Sequence, residues 1–575
     1  MSSQKRKRKP FMRAVGTEAV LSDSRQDAAD AASAPEPACE VPAAPTEQAV
    51  DLPTEQGVDV NGALTAQWRP SRGLMIWLLV VAFCVALQPF ELGFSMDDWG
   101  SVADVARHGA PFGRVRFDWI LQMDPSRPMF SILHFVFSSL LAGQPLLWQS
   151  ALLAANLSLA LLLARVIWTV GWKCGIETRS AAVAVGSAWL LLPWAVGFRF
   201  WAVVLSAHMF LLAFAWMLAY LTDRWQRGRA PLVIPGLLYP ALCLGYEVYY
   251  FQFFPVILLG LSLVVAGRAR IRHVLLTGAS LVAAQGLAAA WYVASKRLTG
   301  TQRPIAPAWQ AIITGNFARI IPEMLRSLHE VEALFVVCAV AAASLCVYAG
   351  LRSCIDREQR TGAGYVALAA ASCITGGLLS IVAFSLGARS VDGLGVETRT
   401  FSLFSFWIVV AAGILAGYAR ARLPRVGRIA MMAVGIGLGV VLAMAHLVRL
   451  NDWATAWHLQ EQILAEAPVE RIAATEEKAI ILTVSPYSVN GAPVFAAPWD
   501  LIHAMELTHP RVPRRKFMIY NPWLGTLTWD GKQLSYASTP PQTVEFLYVW
   551  NPEGREFHRA VQPFRVNQDM TVVPR

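Results

Sequence analysis

Charge is what this chain has least of. Only 15% of its 575 residues are Asp, Glu, Lys or Arg, 55% are hydrophobic, and the mean hydropathy is +0.44. Soluble domains carry about 25% charged residues, so an ordinary soluble fold is excluded. Cysteine is sparse too, and its eight residues show no framework spacing. Cys84, Cys243, Cys338, Cys346 and Cys373 lie in apolar runs, Cys39 in the N-terminal stretch, and Cys174 and Cys354 in short basic loops. None falls in a segment expected outside the membrane, so neither disulfides nor a Cys-based zinc site are expected. The one Asn-x-Ser/Thr match, Asn156 to Ser158, sits inside an apolar run where no glycan can be attached, which favours a bacterial inner membrane. No internal repeat is visible.

What the chain has instead is a series of apolar runs of spanning length, the mark of a polytopic membrane protein. Its net charge of +10 falls mainly between those runs and reports orientation, not nucleic acid. Residues 1–70 read as a disordered cytoplasmic tail. A cluster at Lys5-Arg6-Lys7-Arg8-Lys9 precedes an Ala, Pro, Glu and Asp mixture without apolar periodicity. Such a tail suits orientation and contact with anionic lipid better than a nucleic-acid arm. The first apolar run begins too far from the start for a usual signal peptide, so it is expected to remain as an anchor.

Loop charges decide the span count. The stretch 127–142 has an apolar part of about 15 residues, roughly 23 Å as a helix, short of a hydrocarbon core of about 30 Å. Laid along the outer interface, it leaves sixteen Lys and Arg over 56 residues of inner loops and eight over 58 residues of outer loops. Counted as a span, it would invert the positive-inside bias. A single helix over 232–266 would be about 52 Å long, and Pro235, Pro240 and Pro255 interrupt it, so two short spans with a turn near Glu247 fit better. Eleven spans result, near 74–94, 146–168, 181–197, 202–221, 232–246, 249–266, 274–294, 333–351, 365–387, 401–418 and 429–449. The expected fold is therefore an all-α membrane domain, 71–450, with a first outer loop at 95–145. A small mixed, β-rich periplasmic domain comes after it at 451–575. Its signals are a helical spacing of Trp453, Trp457, Gln460 and Ile463, a strand-like run at 479–484, and turn pairs Asn521-Pro522 and Asp530-Gly531.

With that parity, ionisable residues that are costly near lipid gather on the outer side. Asp97 and Asp98 end the first span, Arg127 opens the interfacial helix, Arg199 caps the third span, and His208 lies one or two turns into the fourth. Glu247 sits in the hairpin turn among Tyr246, Tyr249, Tyr250 and Phe251, while Arg389, Glu397 and Arg399 fill the loop before the tenth span. Each has a plain structural reading. Asp97-Asp98-Trp99 can be an interfacial helix end, Glu247 an ion-pair partner of Arg199, the loop arginines simply loop residues, and His208 a packing residue. Together they describe carboxylates beside arginines, which suits an anionic lipid headgroup and a reaction that needs a carboxylate base.

This arrangement resembles the GT-C superfamily of membrane glycosyltransferases, which includes protein O-mannosyltransferases and aminoarabinose transferases. In those proteins an outward first span leads into a long outer loop with an acidic pair and interfacial helices. Asp97-Asp98 looks like that pair, and Arg127-Pro128 with the run after it looks like the Pro-bearing segment ending the loop. The outer loop at 295–332, the Gly245-Tyr246-Glu247 turn and the C-terminal outer domain are similar in place to bacterial members. The resemblance implies transfer of a sugar from a polyprenyl-phosphate donor, with inversion, at the outer face of the inner membrane. Asp97 would be the general base, and Asp98 or Glu247 would orient it. Arg127, Arg199, His208, Arg389 and Arg399 are the candidates for holding the substrate and its departing lipid phosphate. A divalent cation on Asp97 and Glu247 is left open, since no dedicated ligand spacing is visible. Two other readings stand beside it: a transporter or flippase for a lipid-linked or anionic substrate, and a non-catalytic scaffold for an envelope-polysaccharide complex.

Overall fold

A computed structural model describes residues 70–574 apart from 109–124, 142, 172–176, 300–308, 356–359, 388, 471–478, 484–487, 496–497, 511–516, 520–525, 537–539, 545, 552–553 and 568–571. The stretch expected to be a disordered tail, up to residue 69, and the Asn521-Pro522 turn lie outside the described residues. The described residues belong to a compact unit that begins at Arg69.

The fold is an all-α membrane bundle with a small strand-containing region at its C-terminal end. Among the described residues nine helices are long and apolar enough to cross a membrane, or ten if a bent pair counts as one span. The helices are α1 (Arg72–Ala86), α2 (Asp97–His108), α3 (Pro128–Leu141), α4 (Pro145–Gly171), α5 (Glu177–Ala188), α6 (Leu205–Gln226) and α7 (Val233–Gly245). They continue as α8 (Phe253–Val265), α9 (Ile271–Thr299), α10 (Trp309–Leu328), α11 (Glu332–Ile355), α12 (Arg360–Leu386), α13 (Ser402–Arg422), α14 (Arg425–Ala465) and α15 (Pro498–Thr508). The expected span without a membrane-length helix is the fifth, α7, apolar but only 13 residues long, about 20 Å. Helix α3 has 14 residues, about 21 Å, and is likewise too short to cross a hydrocarbon core of roughly 30 Å.

Local sequence explains where the helices start and break. The Ser71 hydroxyl accepts from the Leu74 amide at 3.2 Å and caps α1. Pro89 starts a separate turn, Gln88–Glu91, after the break at Leu87. The third expected span is bent by 61° instead of straight. Pro193 has no N–H and drives Leu192 to an extended ψ of 112°, so the chain passes through short turns into Val196–Phe200. Two segments differ from expectation by being helical or continuous. The loop at 295–332 contains α10. The helix expected at 452–465 is not separate but is the end of α14, 41 residues or about 62 Å, because no Pro or Gly interrupts the chain there.

Several buried tryptophans inside the bundle donate to polar side chains, as a low-dielectric interior favours. Trp225 donates to Thr277 at 3.1 Å, Trp407 donates to Gln252 at 2.8 Å, and Trp189 donates to Asn156 at 3.1 Å.

The C-terminal region holds two main sheets. In the first, β1 (Ala479–Thr483) lies parallel between β4 (Phe517–Ile519) and β8 (Phe546–Asn551), with β9 (Glu556–Arg559) antiparallel at the edge. The second is antiparallel, ordered β11 (Val572–Pro574), β10 (Phe564–Val566), β5 (Leu527–Trp529), β6 (Gln533–Tyr536) and β7 (Gln542–Thr543). The Asp530-Gly531 turn behaves as its sequence suggests. Asp530 accepts from the amides of Lys532 and Gln533 at 2.9 and 2.6 Å, and Gly531 takes a φ of +103°. A third pair, β2 (Ser488–Val489) and β3 (Ala492–Pro493), forms a small hairpin.

Candidate active site

The Asp97-Asp98 turn is held by backbone ties. Asp98 is 2% exposed, and its carboxylate accepts from the Ser95 amide at 2.8 Å and the Val203 amide at 2.5 Å. The first bond reaches back ahead of the helix in the manner of a capping box. The second fastens α2 to the 3₁₀ turn before α6. The Trp201 indole adds a bond to the Ser95 carbonyl at 2.9 Å. Burial raises the Asp98 carboxyl well above the usual carboxylate range, and the two amides oppose that shift. Asp98 is therefore a clamp. Asp97, one residue before it, is half-buried at the first position of α2, where the helix dipole favours a negative charge. Met96 precedes it with a φ of +49°, an uncommon conformation for a residue with a side chain.

The other end of α2's environment is set by α14. Trp99 stacks on Trp457 with centroids 5.9 Å apart and donates to Gln460 at 2.7 Å, while Gln460 donates to the Phe94 carbonyl at 3.1 Å. Gly93 touches the Trp457 ring so closely that any β-carbon would overlap it.

A group of charges surrounds Tyr246. Arg127 pairs with Glu247 and lies 5.0 Å from the centre of the Tyr246 ring. Arg389 and Arg399 share one oxygen of Glu397 at 3.4 and 3.3 Å. Arg399 also lies 4.9 Å from the centre of the Trp201 ring. The charges of Arg399, Arg127, Glu247 and Glu397 all reach the Tyr246 phenol. Three guanidiniums thus meet two carboxylates, and Trp201 links this group to the Asp97-Asp98 turn. The aromatic faces of Tyr246 and Trp201 hold Arg127 and Arg399 in place by cation–π contact. Arg389 is the most open of the three, at 52% side-chain exposure.

The loop bearing Arg389 and Arg399 is fixed by backbone bonds. Asn316 of α10 donates to the Arg389 carbonyl at 2.9 Å and accepts from the Val391 amide at 3.0 Å. Glu323, two turns on, accepts from the Gly393 amide at 3.0 Å. The Gly197 amide donates to Thr398 at 2.5 Å.

Two expected site residues are placed elsewhere. Arg199 is 2% exposed and donates to the Leu190 and Leu192 carbonyls, with His446 at 3.1 Å from the same guanidinium. It satisfies carbonyls freed by the bend at Pro193 and is not paired with Glu247. His208 is wholly buried, stacked on Phe198 at 3.9 Å, and bonded to the Val204 carbonyl and Asn156 at 3.2 and 3.1 Å. Both ring nitrogens are used in packing the fourth span.

Among the described residues no three His, Cys, Asp or Glu side chains gather as a metal site. Glu247 gives an oxygen to Arg127, Glu397 gives one to two arginines, and Asp98 gives both to amides.

Residues not singled out from sequence complete the site. Trp201 and Asn316 carry no charge and look like ordinary packing residues in the chain. Helix α3 adds His134, 3% exposed with neither ring nitrogen bonded, stacked on Phe130, which in turn stacks on Tyr246. Burial lowers His134 to about 4. A signal for it exists in the chain: Ser131, His134 and Ser138 form a polar stripe on an otherwise apolar helix.

No protein-family model matches the chain, and no curated protein matches it in sequence. Among solved structures it is similar to ArnT from Cupriavidus metallidurans bound to undecaprenyl phosphate. The TM-score is 0.40 and the identity 13%, over 76% of this chain and 89% of that one.

Proposed function

We propose that this chain is a membrane glycosyltransferase that moves a sugar from a polyprenyl-phosphate donor to a hydroxyl acceptor. The observation that carries the reading is the group around Tyr246 and Trp201. Three arginines meet two glutamates there, and Trp201, under Arg399, ties the group to the Ser95 carbonyl, two residues before Asp97. Guanidinium groups suit a phosphate leaving group, because the planar fork matches its oxygens and stays charged. A carboxylate held nearby on a braced turn suits proton removal from an alcohol.

In this reading Arg127, Arg389 and Arg399 hold the phosphate, and Glu247 and Glu397 keep the guanidiniums in register. Asp97 takes the proton of the acceptor hydroxyl as its oxygen attacks the anomeric carbon. The new carbon–oxygen bond forms on the face opposite the phosphate, so the anomeric centre inverts. The bond to the phosphate oxygen breaks, and the polyprenyl monophosphate leaves with its charge met by the arginines. Asp98 positions Asp97 through the Ser95 and Val203 amides. By loop-charge parity the site lies on the outer side of the inner membrane, with the N-terminus inside and the strand-containing region outside.

The test is Asp97→Asn in membranes. Sugar transfer is expected to fall by about 100-fold or more, with expression unchanged. Full activity in that variant would remove Asp97 from the mechanism.

A further inference from the structure

One hairpin of the C-terminal region reaches the candidate site. Its turn, Asn490-Gly491, has φ values of +47° and +90°, the left-handed pair that tight two-residue hairpins require. It connects β2 to β3 and lies against Leu394-Gly395, in the loop that bears Arg389, Glu397 and Arg399.

The contact is backbone on backbone. A methyl at Gly395 would overlap the Gly491 carbonyl, and one at Gly491 would stand 2.7 Å from the Leu394 side chain. On the other side of the loop, a methyl at Gly197 would stand 2.6 Å from the Gly395 carbonyl. Three glycines from distant parts of the chain therefore make a stack, Gly197 to Gly395 to Gly491. The arginine loop is its middle layer.

The hairpin is itself clamped to the bundle. Asp452 of α14 accepts from the Asn490 side chain at 2.8 Å and pairs with Arg449 at 2.9 Å. Arg449 also reaches the Asn490 carbonyl at 3.4 Å and the Ser327 carbonyl of α10 at 3.1 Å. The Arg449 and Asp452 side chains are 3% and 6% exposed. An ion pair so buried needs its remaining hydrogen-bond positions filled, and Asn490 and Ser327 fill them.

We propose that the Asn490-Gly491 turn positions the Arg389–Glu397–Arg399 loop for its anionic ligand. The Arg449–Asp452 pair is the anchor that presses the turn into place. This rests on the phosphate-binding role given to the loop above. It adds that the C-terminal region is a working wall of the site, and that Asn490 and Gly491 act through the loop without touching substrate.

The test uses the full chain in lipid nanodiscs, with the variants Asn490→Gly and Gly491→Ala. The first keeps the left-handed backbone and loses the bond to Asp452; the second adds a methyl to the stack. Two measurements are made: hydrogen exchange across 389–401, and binding of farnesyl phosphate as a soluble isoprenyl monophosphate. Exchange in 389–401 is expected to quicken by about tenfold in both variants, with α12 and the Glu247–Tyr249 turn unchanged. Farnesyl phosphate binding is expected to weaken by a similar factor. Unchanged exchange in 389–401 would overturn the proposal, as would equal acceleration along the whole chain, which would mean general loosening. Faster loop exchange with undiminished binding would overturn it too. If the unaltered protein does not bind farnesyl phosphate, the phosphate role of the loop fails. The exchange comparison then decides the positioning role alone.

Discussion

Asp98 shows how one carboxylate of an acidic pair can be committed to structure. Both of its oxygens accept backbone amides. In Asp98→Asn an amide NH₂ would face one of those N–H donors. A loss of about 1–3 kcal/mol of stability is expected. Thermal unfolding in detergent measures it, and an unchanged midpoint would contradict the clamp. His134 makes a second prediction at this scale. Its folded pKa is lowered to about 4 from an ordinary 6.5, so the unfolded chain takes up a proton first as the pH falls. The stability associated with the neutral ring is intact above about 6.5. It is lost as the pH falls towards the folded value, by on the order of 3 kcal/mol. Melting curves from pH 7 to pH 4 should show a drop that His134→Leu largely removes.

Among the elements, the continuous α14 does more than cross a membrane. Its far end carries Trp453, Trp457 and Gln460 up beside α2, so the helix that holds Asp97 is braced by the last span. Replacing Gln460 by Leu would leave the buried Trp99 N–H without its acceptor. A cost of about 1–3 kcal/mol and easier proteolysis of the segment between residues 95 and 127 are expected. Limited digestion of the two proteins side by side checks this.

This is also where legibility from sequence divides. The residues that converge through loop parity, Asp97, Arg127, Glu247, Arg389 and Arg399, can be picked out because charge is costly near lipid. Span counting passes over the break at Pro193, although Pro in an apolar run is a visible warning, and with it the role of Arg199. The brace from α14 is hidden for a different reason. Its helical spacing can be read, but the polar residues Arg449, Asn451 and Asp452 end the apolar run and so look like the end of the span, although no Pro or Gly breaks the helix there. The glycine stack is invisible altogether, because Gly197, Gly395 and Gly491 are close only in space.

For the whole molecule, the C-terminal region meets the bundle at the β2–β3 hairpin and where α15 packs on α2, and the candidate site lies next to both contacts. The bundle sets a ring of arginines around Tyr246 and Trp201, an acidic turn is braced from two directions, and a C-terminal wall holds the arginine loop. The most direct measurement is made on purified protein in vesicles. It is given a polyprenyl-phosphate sugar labelled in the sugar and a hydroxyl acceptor. Release of polyprenyl monophosphate is expected together with an acceptor glycoside of inverted anomeric configuration, and Asp97→Asn should yield neither. Movement of intact donor across the vesicle without a glycosidic product, or full transfer by Asp97→Asn, would contradict the assignment.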